Sequence, residues 1–172
     1  FGFDFEWNGI TLSAFFQGVG KQDWYPSNEA STLWGQYNRP YGQMPKWHIG
    51  NYWTEDNPDA YLPRYTGYYA PFYKGTNNAN TRYLMDVSYI RLKNVQVGYT
   101  LPEKWTKAIK MKKISVFFSG ENLWTWSPMY RHTRDIDVTA NIYGTDSVLD
   151  TTGDGYNYPT MRSYSFGINL TF

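Results

Sequence analysis

Apolar and polar positions alternate along much of this chain. Over 163–172, Tyr164, Phe166, Ile168, Leu170 and Phe172 fall on one side of an extended strand, and Ser163, Ser165, Gly167, Asn169 and Thr171 fall on the other, because strand side chains alternate with period two. The same period recurs earlier. Phe1, Phe3, Phe5 and Trp7 alternate with Gly2, Asp4 and Glu6, and Asn8-Gly9 then supplies the residue pair favoured in a two-residue hairpin. In the return strand over 10–18, Ile10, Leu12, Ala14 and Phe16 oppose Thr11, Ser13, Phe15 and Gln17. A third segment within 87–101 sets Val95, Val97, Tyr99 and Leu101 against Asn94, Gln96, Gly98 and Thr100. Its first half is out of phase, with Ile90 and Leu92 alternating with Arg91 and Lys93, which predicts a bulge, or, should these strands cross a bilayer, a stretch standing above it. A fourth over 114–126 sets Ile114, Val116 and Phe118 against Ser115, Phe117, Ser119 and Glu121.

Strands with one apolar and one small or polar face, about long enough to cross a bilayer at a tilt, suit the wall of a transmembrane β-barrel. Such barrels keep short turns at the periplasmic side and long loops outside. Counted back from a descending last strand, 126–161 and 19–86 become outer loops, whereas 102–112 and Asn8-Gly9 become periplasmic turns. Long and short connections therefore fall on opposite sides throughout. The expected fold class is all-β: the C-terminal antiparallel strands of a large transmembrane β-barrel with long extracellular loops, one unit over 1–172 with about five strands.

Composition excludes several classes. No run of about 18 apolar residues exists, so no transmembrane helix is expected. A formal charge of +1 lacks the basic patch that nucleic acid requires. The 17 Tyr and 8 Trp suit the interfacial girdles of a barrel. The absence of cysteine fits an oxidising compartment without disulfides. The sequence opens at Phe1 without a leader pattern, so any targeting signal is expected outside it, with Phe1 not the biological start.

Four blocks carry a family resemblance. Glu6-Trp-Asn-Gly-Ile-Thr-Leu-Ser-Ala-Phe-Phe-Gln-Gly18, Ser88-Tyr-Ile-Arg-Leu-Lys-Asn-Val-Gln-Val-Gly-Tyr-Thr-Leu-Pro102, Phe118-Ser-Gly-Glu-Asn-Leu-Trp124 and the stretch from Tyr158 to Phe172 resemble the C-terminal barrel strands of the SusC/RagA family. Trp53-Thr-Glu-Asp-Asn-Pro58 followed by Leu62-Pro-Arg64 is similar to that family as well. The resemblance implies a TonB-dependent transporter of the Bacteroidetes outer membrane that imports glycans or peptides beneath a SusD-like lipoprotein. It also implies coupling to the TonB system through a plug absent from this sequence. Ser165, Gly167, Leu170 and Phe172 resemble the terminal signal read by the barrel-assembly machinery, so that machinery and membrane lipid are expected partners.

The first long loop is dense in aromatics, among them Tyr68, Tyr69 and Tyr73; Trp24, Trp34, Trp47 and Trp53 are the candidate contacts with a ligand or lid, against a purely structural role in holding the loop together. Asp135-Ile-Asp137 and the run from Asp150 to Gly155 do not match the twelve-residue calcium loop and are expected to form turns. His48 and His132 have no metal-ligand spacing and are expected on the surface or in loops. Lys104, Lys107, Lys110, Lys112 and Lys113 form a charge cluster after Pro102, where Trp105 and Ile109, four apart, are expected to dock a short helix on the barrel rim. That cluster reads first as a solvated turn and second as a site for lipid phosphate or a periplasmic partner. No nucleophile elbow or phosphate-cradling loop is present, so no catalytic residue, metal or cofactor is expected. The alternative is a soluble or surface all-β carbohydrate-binding module, its alternating strands forming a sandwich.

Overall fold

The period-two segments pair in sequence order. In the computed structural model, which describes residues 1–26, 30–37, 41–66, 80–139 and 160–172, one sheet contains β1 (Gly2–Trp7), β2 (Ile10–Val19), β5 (Tyr89–Thr100), β6 (Lys113–Trp126) and β7 (Ser163–Thr171). Every neighbouring pair is antiparallel, and β1 and β7 are the two edges. The β1–β2 hairpin turns on Asn8 and Gly9, with φ of 49° and 84°, as a two-residue turn matched to strand twist demands. A side chain at Gly9 would also run into the Thr100 carbonyl, which approaches to 2.7 Å of the Cβ position.

Register turns alternation into two faces, because residues directly opposite across an antiparallel pair share a side of the sheet. Phe5, Leu12, Val97, Phe118 and Phe166 form one such row, and Trp7, Ile10, Tyr99, Val116 and Ile168 the next. Asp4, Ser13, Gln96, Ser119 and Ser165 form a row on the opposite face. There Ser163 Oγ donates to Glu121 Oε2 at 3.1 Å. The phase break in β5 is a bulge: Phe15 pairs with Asn94 and Phe16 with Leu92, so Lys93 is the extra residue. That shift brings Leu92 and Ile90 onto the side of Val95, opposite Trp124 and Trp126 of β6. Much of the apolar face is exposed; Phe166 retains 81 % of its accessible surface, while Ala14 is buried.

Phe117 interrupts the polar face, and its neighbours explain how. It lies in register between Gly98 and Gly167, and a Cβ at Gly167 would overlap the Phe117 ring. The ring thus covers backbone that the glycine leaves bare. Phe15 on the same face is half exposed.

The two long connections form a separate compact unit, residues 20–88 with 127–160. It includes β3 (Asp23–Trp24), paired with β4 (Met85–Asp86), and a helical turn α1 (Ser31–Trp34) continued by a 3₁₀ turn, Gly35–Tyr37. Leu33, Trp34, Tyr37, Leu62, Met85 and Val87 of the first connection and Met129, Ile136 and Val138 of the second make its core. Arg82 donates to the Ala60 and Tyr61 carbonyls, fastening the returning chain to the turn at 60–61. His132 stacks on Tyr61 with ring centroids 4.4 Å apart. Among the described residues no helix is long and apolar enough to cross a membrane, a fact that leaves strand crossings open.

The short connection after β5 holds α2 (Glu103–Ala108), and here one expectation is overturned. Trp105 and Ile109 do not dock; they remain 62 % and 59 % exposed, and Thr106 is the residue turned inward. Four-residue spacing puts two side chains on one face of a helix but does not say which way that face turns.

Gly167→Leu should destabilise the sheet by about 1–3 kcal/mol through overpacking against Phe117. Phe117→Ala in the same protein should recover much of that loss, which a double-mutant cycle on urea denaturation measures.

Candidate functional site

The four candidate tryptophans divide by burial. Trp24 and Trp34 retain only 7 % and 1 % of their surface. Trp24 sits opposite Met85, and Trp34 meets Tyr83 edge to face at 5.3 Å. Both hold the loop unit together and leave no ring face for a ligand to stack on. Trp47 is half-buried in the 3₁₀ turn Lys46–His48, its ring at right angles to His48 and 4.5 Å away.

Trp53 lies in a different setting. With Tyr52, Thr54, Glu55, Arg64 and Tyr65 it lines a pocket of about 380 Å³. The frame is backbone: Trp53 N donates to Leu62 O at 3.0 Å and Leu62 N to Asn51 O at 2.8 Å, around a parallel bridge between Tyr52 and Leu62. A tight turn at 54–57 closes one end through paired backbone bonds between Thr54 and Asn57. Those bonds fix Trp53 beside Arg64, whose guanidinium carbon is 6.0 Å from the indole centroid, at the outer reach of a cation–π contact. An aromatic surface with one guanidinium and one carboxylate offers stacking, donation and acceptance together.

Behind the pocket, Tyr65 is held from within. Its ring stacks on Tyr37 at 4.2 Å, and its hydroxyl lies 2.7 Å from His48 Nδ1. His48 Nε2 is 2.7 Å from the Leu33 carbonyl oxygen, which only accepts, so Nε2 carries the proton and Nδ1 accepts from the Tyr65 hydroxyl. The Tyr37 hydroxyl donates to the Pro63 carbonyl. Burial pushes the Tyr65 phenol up to about 12 and raises Tyr37 as well, so both stay protonated donors. His48 is in a loop as expected, but it is fully buried rather than at the surface. Its two hydrogen bonds, invisible to ligand-spacing arguments, are the reason it is tolerated there.

Asp137 forms the expected turn and adds a clasp. One carboxylate oxygen accepts from Thr139 N and Oγ1, at 2.9 and 2.7 Å, and the other from Thr160 N at 2.9 Å. Burial pushes this carboxyl up, but the hydrogen bonds from Thr139 and Thr160 outweigh it and hold the pKa well below the usual range. Tyr68, Tyr69, Tyr73 and the run Asp150 to Gly155 lie outside the described residues. Of the four terminal-motif residues, Ser165, Gly167 and Leu170 pair with Ser119, Phe117 and Ile114, and Phe172 follows the strand, exposed. The sequence singled out Trp53 but not the pocket around it; the nearby Leu62-Pro-Arg64 was the signal available.

Comparison with known proteins fits these features. Over 178 aligned residues the whole chain is 30 % identical to TonB-dependent receptor P26 of Formosa agariphila and spans 17 % of that protein. Over 71 % of its length it is 29 % identical to TonB-dependent receptor P3 of the same organism, spanning 11 % of it. A chain in the structure of the RagAB peptide transporter superposes on 96 % of this one with a TM-score of 0.56 at 20 % identity, and this chain covers 16 % of it. The same importer in its "open-open" state gives a TM-score of 0.52. No protein-family model matches. The SusC/RagA resemblance therefore holds: the chain is similar in sequence to TonB-dependent receptors from end to end, and it has the all-β fold of a RagA-type barrel segment.

Acid should loosen the loop unit. Burial lowers the His48 pKa from its ordinary 6.5, the Leu33 hydrogen bond opposing, so the folded form binds fewer protons than the unfolded one. The contribution of neutral His48 is complete above about pH 6.5 and is lost as pH falls through the lower folded value. Protease susceptibility of the segment 33–65 is expected to rise from about pH 7.5 to 5, and His48→Gln to flatten that dependence.

Proposed function

We propose that this chain, kin to TonB-dependent receptors along its whole length, is a stretch of barrel wall with two outer loops from a SusC/RagA-type importer of the bacterial outer membrane. The observation that carries this reading is the apolar face running through all five strands, on which Phe5, Ile10, Val97, Val116, Phe166 and Ile168 remain exposed. A water-soluble sandwich would cover such a face with a second sheet, and the other sheet among the described residues is only the short β3–β4 pair. Hydrocarbon is the solvent in which this face costs nothing.

On this reading Ile10, Leu12, Val97, Phe118, Phe166 and Ile168 meet lipid, and Ser13, Gln96, Ser119 and Ser165 turn toward the lumen or plug. The strand β1 pairs with an earlier strand of the same barrel. The outer edge of β7 pairs with a further strand of the same barrel, and Ser165, Gly167, Leu170 and Phe172 present the signal to the assembly machinery. Phe117 and Phe15 pack against the plug side, where energy from the TonB system acts. The loop unit faces outward beneath a SusD-like lipoprotein, and the Trp53–Arg64 pocket contacts the glycan or peptide, or the lid itself.

The pocket and the loop core are separable by mutation. In the intact importer, Trp53→Ala or Arg64→Ala should lower nutrient uptake or lid capture about tenfold, as loss of a stacked aromatic or an interfacial Arg does. The barrel should remain folded and in the membrane. Trp34→Ala should instead destabilise the loop unit by about 3–5 kcal/mol. Unchanged uptake and capture in both pocket variants would overturn the assignment of Trp53 as a contact.

A further inference from the structure

The overturned docking of α2 leaves a surface that needs a partner. Trp105 and Ile109 are largely exposed on a helical turn that carries Lys104 and Lys107 and is followed by Lys110, Lys112 and Lys113. Glu103 is the only acidic residue from 102 to 113, and it is taken by Lys107 Nζ at 2.7 Å. The other four lysines have no ion pair among the described residues. Lys110 stands at φ 57°, a left-handed helix-ending position where glycine is usual, so a cation occupies a place that the backbone alone would give to glycine.

Position within the sheet supplies the partner. The turn leaves β5 directly after Thr100, and Lys112 N donates to Thr171 O at 2.9 Å at the start of β6. Trp7 and Tyr99 lie at this same end of the strands, in one row with Ile10, Val116 and Ile168. An exposed apolar face, a border of Trp and Tyr, and then exposed cations are the layers met on passing from hydrocarbon through the interface to phosphate.

We propose that α2 and the lysines after it form a site for the anionic headgroups of phospholipid in the leaflet at the short-turn end of the sheet. Trp105 and Ile109 enter the interface, and Lys104, Lys110, Lys112 and Lys113 contact the phosphates. The site rests on the barrel reading above for its membrane. A lysine near an anionic surface contributes about fivefold to association, so the cluster gives a strong preference for anionic over zwitterionic lipid.

The intact importer in nanodiscs of phosphatidylethanolamine with or without phosphatidylglycerol provides the test. An Ile109→Cys spin label is expected to be accessible to oxygen and shielded from a water-soluble nickel reagent. Native mass spectrometry of the wild type should show bound phosphatidylglycerol, and Lys104→Gln, Lys110→Gln, Lys112→Gln and Lys113→Gln combined should lose most of it. A label open to water, a label shielded from both reagents by protein, or equal lipid retention in the combined variant would each overturn the site. Heat-modifiable migration of the same samples separates the two ideas: a folded, inserted barrel with a water-exposed position 109 rejects only this site, whereas failure to behave as a membrane barrel rejects the reading it rests on.

Discussion

A strand at bilayer depth has no water to satisfy its backbone, so every N–H and C=O must find a partner on a neighbouring strand. Four antiparallel pairings meet that demand between β1 and β7, but the outer edges of β1 and β7 are unpaired within the described residues. Each group left unpaired in hydrocarbon would cost roughly 2–7 kcal/mol. Summed along a strand, that exceeds the whole stability of an ordinary domain. On the proposed membrane reading the sheet therefore has to be part of a closed wall, and the chain spans 11 to 17 % of the relatives it matches.

Register is strongly specified in a sheet with one apolar and one polar face. A one-residue slip exchanges every lipid-ready side chain for a polar one. The strand β5 meets this problem in its own sequence, because Ile90 and Leu92 are out of step with Val95 and Val97. The extra residue Lys93 corrects the step, and the pairing of β6 shifts with it, from Glu121 opposite Asn94 to Trp124 opposite Leu92. The bulge therefore preserves a continuous apolar face at the expense of one regular pair.

Local chemistry makes the sheet legible in the sequence. Period two, the Asn8-Gly9 turn and the phase break in β5 each have an effect within a few residues of their cause. The loop unit was opaque for the opposite reason. Its core joins residues as distant as Leu33 and Val138, so burial of Trp34 and partial exposure of Trp53 follow from contacts that no window of sequence contains. His48 shows the same limit: a lone histidine says nothing until Leu33 O and the Tyr65 hydroxyl are found on its two nitrogens. For α2, spacing gave the shared face of Trp105 and Ile109 correctly but not its direction.

Aromatic chemistry separates the two units more sharply than overall hydrophobicity does. Among the described residues every Phe lies in the sheet unit, whereas of the Tyr only Tyr89, Tyr99 and Tyr164 lie within it. Those three occupy the ends of their strands: Tyr89 opens β5, Tyr99 stands one residue from its close, and Tyr164 is second in β7. Trp7 likewise ends β1, and Trp124 and Trp126 end β6. Phe carries no polar atom and can sit at mid-strand against hydrocarbon, while a phenol or indole needs a partner and is favoured where apolar and polar media meet. In the loop unit the same phenols become internal donors, as Tyr37 does to the Pro63 carbonyl and Tyr65 to His48, so a loop too long for strand pairing is held by rings that pack and hydrogen-bond at once.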